Sequence, residues 1–186
     1  MTFPCFFAIM QTVMTMKPEL KQQLADSIRD FRLPRYAEIP NVGLYLEQAT
    51  KYICEYLEPL GEYSLTPSMI SNYVKKGLIA NPVKKQYGRE QIAYLFFIAV
   101  AKSVLSLDAL TGFIQLQKQT YPLPVAYDYF CREFENLLQF SFEAKDTLDI
   151  IGEDTTDEKR LLYTCIVAAV QKVYLEKCLE AIARET

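Results

Sequence analysis

Apolar residues recur at helical spacing along most of the chain, and Pro and Gly residues divide the pattern into segments. The spacing predicts helices over residues 18–31, 43–57, 67–76, 89–104, 107–119, 125–142 and about 157–184. Pro18 and Pro67 fall at first helical positions, where the missing N–H has no partner to lose. Pro34 ends the first helix and Gly77 ends the third. The pattern therefore indicates an all-α fold class.

Three of the predicted helices have wide apolar surfaces. The helix over 89–104 is apolar around most of its circumference, which predicts a central and buried position. The helix over 125–142 is rich in aromatic residues, which more often form core than a ligand cage when they recur at helical spacing. The helix over 157–184 is expected to pack on it, and contact of its far side with a second protomer stays open.

Charge is unevenly distributed along the chain. The net charge of −3 and the pI of about 5.2 argue against a protein that coats nucleic acid unspecifically. Residues 66–102 are nevertheless basic, with Lys75, Lys76, Lys84, Lys85, Arg89 and Lys102 against Glu90 alone. Any contact with nucleic acid is therefore expected to be local, and a chance cluster of solvated lysines is the simpler alternative.

The sequence lacks the side chains that most catalytic and metal sites need. It has no His, which removes the common catalytic dyads and the commonest metal ligand. Its five Cys residues are odd in number, scattered and without a C-x-x-C pair, as in reduced cytoplasmic proteins. No glycine-rich phosphate loop is present. We expect a non-enzymatic cytoplasmic protein with no cofactor, metal, nucleotide or membrane association.

One short helix and the loop that follows it carry the candidate binding chemistry. The helix over 67–76 has small or cationic hydrogen-bonding residues on its polar side and no carboxylate, namely Ser68, Ser71, Asn72, Lys75 and Lys76. A compact basic loop and the start of the next helix add Lys84, Lys85 and Arg89. Side chains of these kinds can reach base edges and phosphates in a major groove. An ordinary amphipathic helix with a solvated turn is the alternative interpretation.

The order of residues through this region resembles a known class of regulators. Residues 65–79 resemble the recognition helix of MerR-type proteins, in which a Tyr precedes charged residues, Gly and Leu. Tyr87 with residues 89–95 is similar to the helix after their wing, and residues 105–110 are similar to its ending. The resemblance implies a MerR-like winged helix-turn-helix that binds double-stranded DNA, embedded in a compact multi-helix domain with a C-terminal helical pair.

A second resemblance covers a longer stretch. Residues 33–34, 39–40 and 72–76 together resemble a bacterial family of unknown function, DUF1836, of the YkrK-like type, over about residues 30–120. Three segments are expected from the helical pattern and the two resemblances together. They are an apolar N-terminal extension over 1–16, with Met14 and Met16 as candidate translation starts, a MerR-like domain over 17–120 and a C-terminal helical lobe over 121–186 packed on it.

The departures from the MerR pattern keep two functions open. Ser71 and Asn72 stand where those regulators usually have an Arg and an aromatic residue. Few phosphate-binding lysines remain, so useful affinity for DNA requires a homodimer. The preferred hypothesis is a transcriptional regulator in which Asn72 reads adenine and Lys76, Lys84 and Lys85 hold phosphates. The alternative is a protein-interaction module that offers its basic face to an acidic partner.

Overall fold

The computed structural model describes residues 16–152 and 155–185, and seven α-helices lie within them. They are α1 (Pro18–Arg29), α2 (Leu46–Leu57), α3 (Pro67–Lys75), α4 (Arg89–Ala101), α5 (Leu107–Thr120), α6 (Leu123–Ser141) and α7 (Asp157–Glu185). The prediction of an all-α fold is confirmed. The interpretation of residues 1–16 as an extension falls, except for Met16, outside the described residues.

Local hydrogen bonds explain where the short helix α3 begins and ends. Thr66 caps α3 because its hydroxyl oxygen accepts from the Met69 N–H at 3.2 Å. Gly77 ends α3 with a φ of 76°, and the N–H groups of Gly77 and Leu78 donate to the carbonyls of Val74 and Tyr73. Both ends of α3 were predicted from these residue types, and both are confirmed.

The segment before α2 differs from the prediction. A helix was expected from residue 43, but Leu44–Tyr45 forms a short strand, β1, that pairs antiparallel with β2 (Gln86–Tyr87). A Cβ on Gly43 would lie 2.7 Å from the Gln86 Cβ, so only glycine allows this close approach. Two residues are too few to show strand periodicity, and the apolar pattern of α2 therefore extended the predicted helix backwards.

Helix α4 lies at the centre of the core, as predicted. Every residue from 92 to 101 is buried. The Phe96 ring meets Tyr52 of α2 with its centroid 5.9 Å away and Tyr127 of α6 with its centroid 6.4 Å away. Helix α4 therefore connects the N-terminal helices to the C-terminal pair, and the buried apolar cluster runs without a break from Ile28 to Val173.

The C-terminal helices pack along each other, which confirms the expected pairing of α6 and α7. The aromatic residues Tyr127, Phe130 and Phe134 of α6 are buried, so the core interpretation holds for them. Phe140 differs because 42% of its surface is exposed. Helix α1 packs on both α6 and α7, so the first and last helices of the described chain contact each other.

The connector between α1 and β1 is fixed to α6 by charged hydrogen bonds. The Arg35 guanidinium donates to both carboxylate oxygens of Glu135 at 2.6 Å each, and the same carboxylate accepts from the Leu33 N–H at 2.8 Å. Two turns earlier on α6, the Asp128 carboxylate accepts from the Tyr36 N–H at 2.7 Å. We call this arrangement the Arg35 anchor; it holds the N-terminal third of the chain against the C-terminal pair.

Candidate nucleic-acid interface

Helix α2 supports both candidate binding elements, because α3 and the β1–β2 sheet contact it. The linker from α2 to α3 turns at Gly61, whose φ is 90°. The linker is held from two sides. The Cys54 thiol exchanges hydrogen bonds of 3.4 Å with the backbone N–H and carbonyl of Leu65, and the Lys102 ammonium donates to the Ser64 carbonyl at 2.7 Å. The orientation of α3 is thereby determined by neighbours in α2 and α4.

The polar side of α3 is a surface of exposed, uncommitted side chains. Its buried side is formed by Ile70 and Tyr73, which pack into the core. The five predicted contact residues on the other side are all exposed, namely Ser68, Ser71, Asn72, Lys75 and Lys76. None of their side chains makes a hydrogen bond or ion pair with any residue in the described ranges. Their donors and cations are therefore available to a partner.

The basic loop is a tight hairpin turn. Val83 and Gln86 exchange both backbone hydrogen bonds, at 3.1 and 2.9 Å, so Lys84 and Lys85 form a two-residue turn. Both lysines have positive φ, 50° and 65°, the pattern of a type I′ turn that Asn-Gly normally fills. A residue with a Cβ in this conformation costs about 1 kcal/mol. Both lysine side chains are exposed, so this strained turn projects two positive charges into solvent.

Like charges accumulate in this region without compensation from the chain itself. Between Glu62 and Glu90 no residue carries a carboxylate. The exposed lysines of α3 and of the turn make no ion pair with the described residues, whereas lysines elsewhere, such as Lys145 with Asp149 at 2.9 Å, do. The region therefore presents positive potential on a chain with a net charge of −3.

Arg89, the eighth predicted contact residue, serves the fold. Its Nε donates to the Ile39 carbonyl at 2.8 Å, and its guanidinium lies over the Tyr36 ring, 5.7 Å from the centroid. The side chain is half-buried. It thus joins the start of α4 to the Arg35 anchor, and we leave it out of the candidate contact surface. The remaining seven residues, on α3 and the turn, are called the α3–turn surface.

Sequence reasoning missed three exposed apolar residues beside the turn. Val42, Tyr45 and Val83 expose 72%, 53% and 73% of their surface. Tyr45 lies opposite Gln86 in the sheet, and Val83 bridges to the same residue. The pairing of β1 with β2 brings Tyr45 to this position from a distant part of the sequence, so only recognition of the strand could have found it.

The thiols offer little chemistry. The four cysteines within the described residues are free, and only Cys54 among them is more than slightly accessible. Burial raises the pKa of Cys131 to about 12 and that of Cys165 to about 11, which keeps both thiols protonated and weakly nucleophilic. Within the described ranges, no three His, Cys, Asp or Glu side chains gather as they would around a metal ion.

A helix that crosses a bilayer needs about 20 consecutive, mainly apolar residues. None of the helices in the part of the chain that the structure describes combines the length and apolar character that a membrane span needs.

Comparison with protein-family models identifies a family for this chain. A family model with the description "Domain of unknown function (DUF1836)" matches residues 34–130, which is more than half of the 186 residues. The match includes α2 to α5, the hairpin turn and part of α6. No curated protein and no solved structure matches.

Proposed function

This chain belongs to the DUF1836 family, and we propose that it is a cytoplasmic, non-enzymatic regulator of the YkrK-like type that binds double-stranded DNA. In this proposal α2 and α3 form a MerR-like helix-turn-helix, and the hairpin around Lys84 and Lys85 forms its wing. The observation that carries the proposal is the α3–turn surface, whose exposed donors and cations have no partner in the described part of the chain.

Each part of the surface has a role in the proposed complex. Helix α3 enters the major groove, where Ser71, Asn72 and Lys75 reach base edges and Ser68 lies near the helix start. Lys76 and the two turn lysines hold phosphates and fix the register. Asn72 supplies specificity because an amide can accept from and donate to one adenine edge at once.

The proposed DNA-binding form is a homodimer. Each phosphate contact adds about −0.9 to the slope of log affinity against log salt, so three lysines give weak binding per copy. Helix α7 offers a surface for pairing, because Leu161, Ala168 and Leu175 are seven residues apart and all exposed. Two copies joined through this stripe would bring two α3–turn surfaces into one complex.

The deciding experiment is a fluorescence-anisotropy titration of the full chain with random duplex DNA at low and at physiological salt. We expect salt-sensitive binding that Lys75→Glu/Lys84→Glu abolishes. Lys118→Glu/Arg160→Glu is the matched control, because it makes the same charge change at exposed positions on α5 and α7. Absence of binding at both salt concentrations, or equal loss in the two double variants, would contradict the proposal.

A second titration separates base reading from phosphate binding. With a duplex obtained by selection for tight binding, Asn72→Ala should reduce the preference over random DNA by about 1–3 kcal/mol. Lys84→Ala should weaken binding to both duplexes alike and lower the salt slope by about 0.9. If both variants lose affinity equally on every sequence, Asn72 does not read bases.

One observation favours a second candidate function. Val42, Tyr45 and Val83 place exposed apolar surface beside the turn lysines, a combination that suits a protein partner with an acidic and partly apolar face. This candidate predicts that the chain binds such a protein partner and that Tyr45→Ser/Val83→Ser abolishes this binding. The same double variant should leave DNA binding by the α3 lysines largely intact, so the two functions are separable in one set of proteins.

A further inference from the structure

A cavity of about 300 Å³ opens between α5, α6 and the start of α7, on the C-terminal side of the core. Its walls are mainly apolar and partly aromatic, with Phe113, Leu116, Val125, Tyr129 and Leu162 among them. The volume is at the lower end of the range for small-molecule pockets. A ligand of about the size of a substituted benzene ring therefore suits it.

Several polar groups on the cavity wall already make hydrogen bonds to other groups of the protein. The Gln117 amide accepts from the Tyr94 hydroxyl and donates to the Tyr121 carbonyl, both at 2.8 Å. The Thr120 hydroxyl donates to the Leu116 carbonyl at 3.1 Å. The Asp128 carboxylate accepts from the Tyr36 N–H. These groups shape the cavity, but they leave little hydrogen-bonding capacity for a strongly polar ligand.

Among the charged groups on the wall, the Arg132 guanidinium is the one that suits an anionic substituent. The Arg132 guanidinium is exposed and makes no ion pair with a carboxylate of the described chain. The Lys159 ammonium lies over the Tyr129 ring, 5.2 Å from its centroid, and adds a second cation on the same wall. Glu158 and Asp128 place two carboxylates on the same wall, and that of Asp128 accepts from the Tyr36 N–H. A guanidinium binds a carboxylate through two parallel hydrogen bonds.

We propose that this cavity binds a small carboxylic acid with a flat or branched apolar body, and that the bound acid regulates the α3–turn surface. The regulatory part rests on the proposed DNA-binding function. The apolar body lies against Phe113 and Tyr129, and the carboxylate meets Arg132 at the rim. No component of the cavity overlaps the proposed DNA contacts, so ligand and DNA can be bound together.

Two sets of contacts connect the cavity to the hairpin. Asp128, on the cavity wall, holds the Tyr36 N–H, and the Tyr36 ring lies under the guanidinium of Arg89. Arg89 is the first residue of α4 and follows β2 after one residue. Gln117, also on the wall, holds the Tyr94 hydroxyl one turn further along α4. A ligand that moves α5 against α6 therefore acts on the first turns of α4, which directly follow the hairpin.

Binding is tested by isothermal titration of the full chain with three probes of similar shape and different charge: phenylacetate, 2-phenylethanol and phenethylamine. Phenylacetate should bind most tightly. Arg132→Gln should weaken the affinity for phenylacetate by about tenfold or more and leave the affinity for 2-phenylethanol unchanged. Arg160→Gln, an equal charge change at an exposed position outside the cavity wall, is the control. Failure of all three probes, tighter binding of phenethylamine, or equal losses in both variants would overturn the site.

Regulation is tested by repeating the DNA titration with and without saturating phenylacetate. We expect the ligand to change DNA affinity by about fivefold or more. Tyr36→Ala should abolish this change and retain phenylacetate binding, because Tyr36 lies outside the cavity wall. Tyr36→Phe should restore the change, because its ring can still lie under the Arg89 guanidinium. Equal DNA affinity with and without ligand would overturn the proposed regulation, but it would not contradict binding of the acid in the cavity. Loss of DNA binding in every condition would instead mark failure of the proposed function.

Discussion

The α3–turn surface and the Arg35 anchor use charge in opposite ways. In the anchor, the Arg35 guanidinium meets the Glu135 carboxylate at 2.6 Å, and both side chains are largely buried. On the α3–turn surface the lysines are exposed and have no carboxylate beside them in the described chain. Where charge stabilises this fold, the chain supplies both partners.

The backbone makes the same distinction. The connector in the anchor has extended and 3₁₀ conformations that any residue adopts. The turn holds two lysines at positive φ, where Asn and Gly would be more stable. Unpaired cations in a strained turn contribute nothing evident to folding, which agrees with the proposal that this turn contacts a partner outside the chain.

Glu135→Ala tests the anchor and should produce the largest effect. The substitution leaves a partly buried guanidinium without its carboxylate and the Leu33 N–H without its acceptor. We expect the free energy of unfolding, measured by urea denaturation, to fall by about 3 kcal/mol or more. Lys84→Ala, in the other region, should change it by less than about 0.5 kcal/mol. A small loss in Glu135→Ala would remove the contrast between the regions.

Lys84→Asn/Lys85→Gly tests the other region, the hairpin turn of the α3–turn surface. These residues fit a type I′ turn, so the same denaturation experiment should show a gain of about 1 kcal/mol. The variant should at the same time lose affinity for DNA in the anisotropy titration, because two phosphate contacts disappear. Stability and binding would then change in opposite directions. A loss of stability would mean that the lysines serve the fold.

The smallest effect concerns pH. Burial raises the pKa of Glu133 above its ordinary 4.5, so the folded state disfavours the ionised form. The free energy of unfolding should therefore decrease as pH rises from 4.5 through the raised pKa, and Glu133→Gln should remove this decrease.

Glu38 provides the matched comparison for that measurement. The Arg32 guanidinium lowers the pKa of Glu38, so its contribution is present above 4.5 and is lost as pH falls through the lowered value. Urea denaturation between pH 3 and pH 7 should give difference curves of opposite sign for Glu133→Gln and Glu38→Gln. Curves with the same sign would contradict the assignment of burial as the dominant cause at Glu133.

The sequence predicted the helices because their ends carry local signals. Thr66 and Gly77 bound α3 through hydrogen bonds to residues within five positions, and a reader of the sequence can see both partners. The burial of α4 follows from its apolar composition alone. The exposure of the α3 polar side follows from helical periodicity, so the predicted contact residues on α3 share one exposed face.

What the sequence did not predict depends on partners that are distant along the chain. Arg35 and Glu135 are separated by 100 positions, and either could have been a surface charge. The bond from Arg89 to the Ile39 carbonyl joins residues 50 positions apart, so nothing in the sequence indicated it. Strand β1 and the cavity between α5, α6 and α7 also exist only after helices from different parts of the chain have packed.

The position of α4 has a consequence for motion. Its amide groups lie in ten successive buried residues at the centre of the core, so they should exchange with deuterium only when the whole protein opens. The amides of Lys84 and Lys85 make no backbone bond in the turn and should exchange within the first seconds. Only residues 86–91 separate the fastest amides from the slowest, so the hairpin tip can adapt to a partner's shape while its base stays fixed.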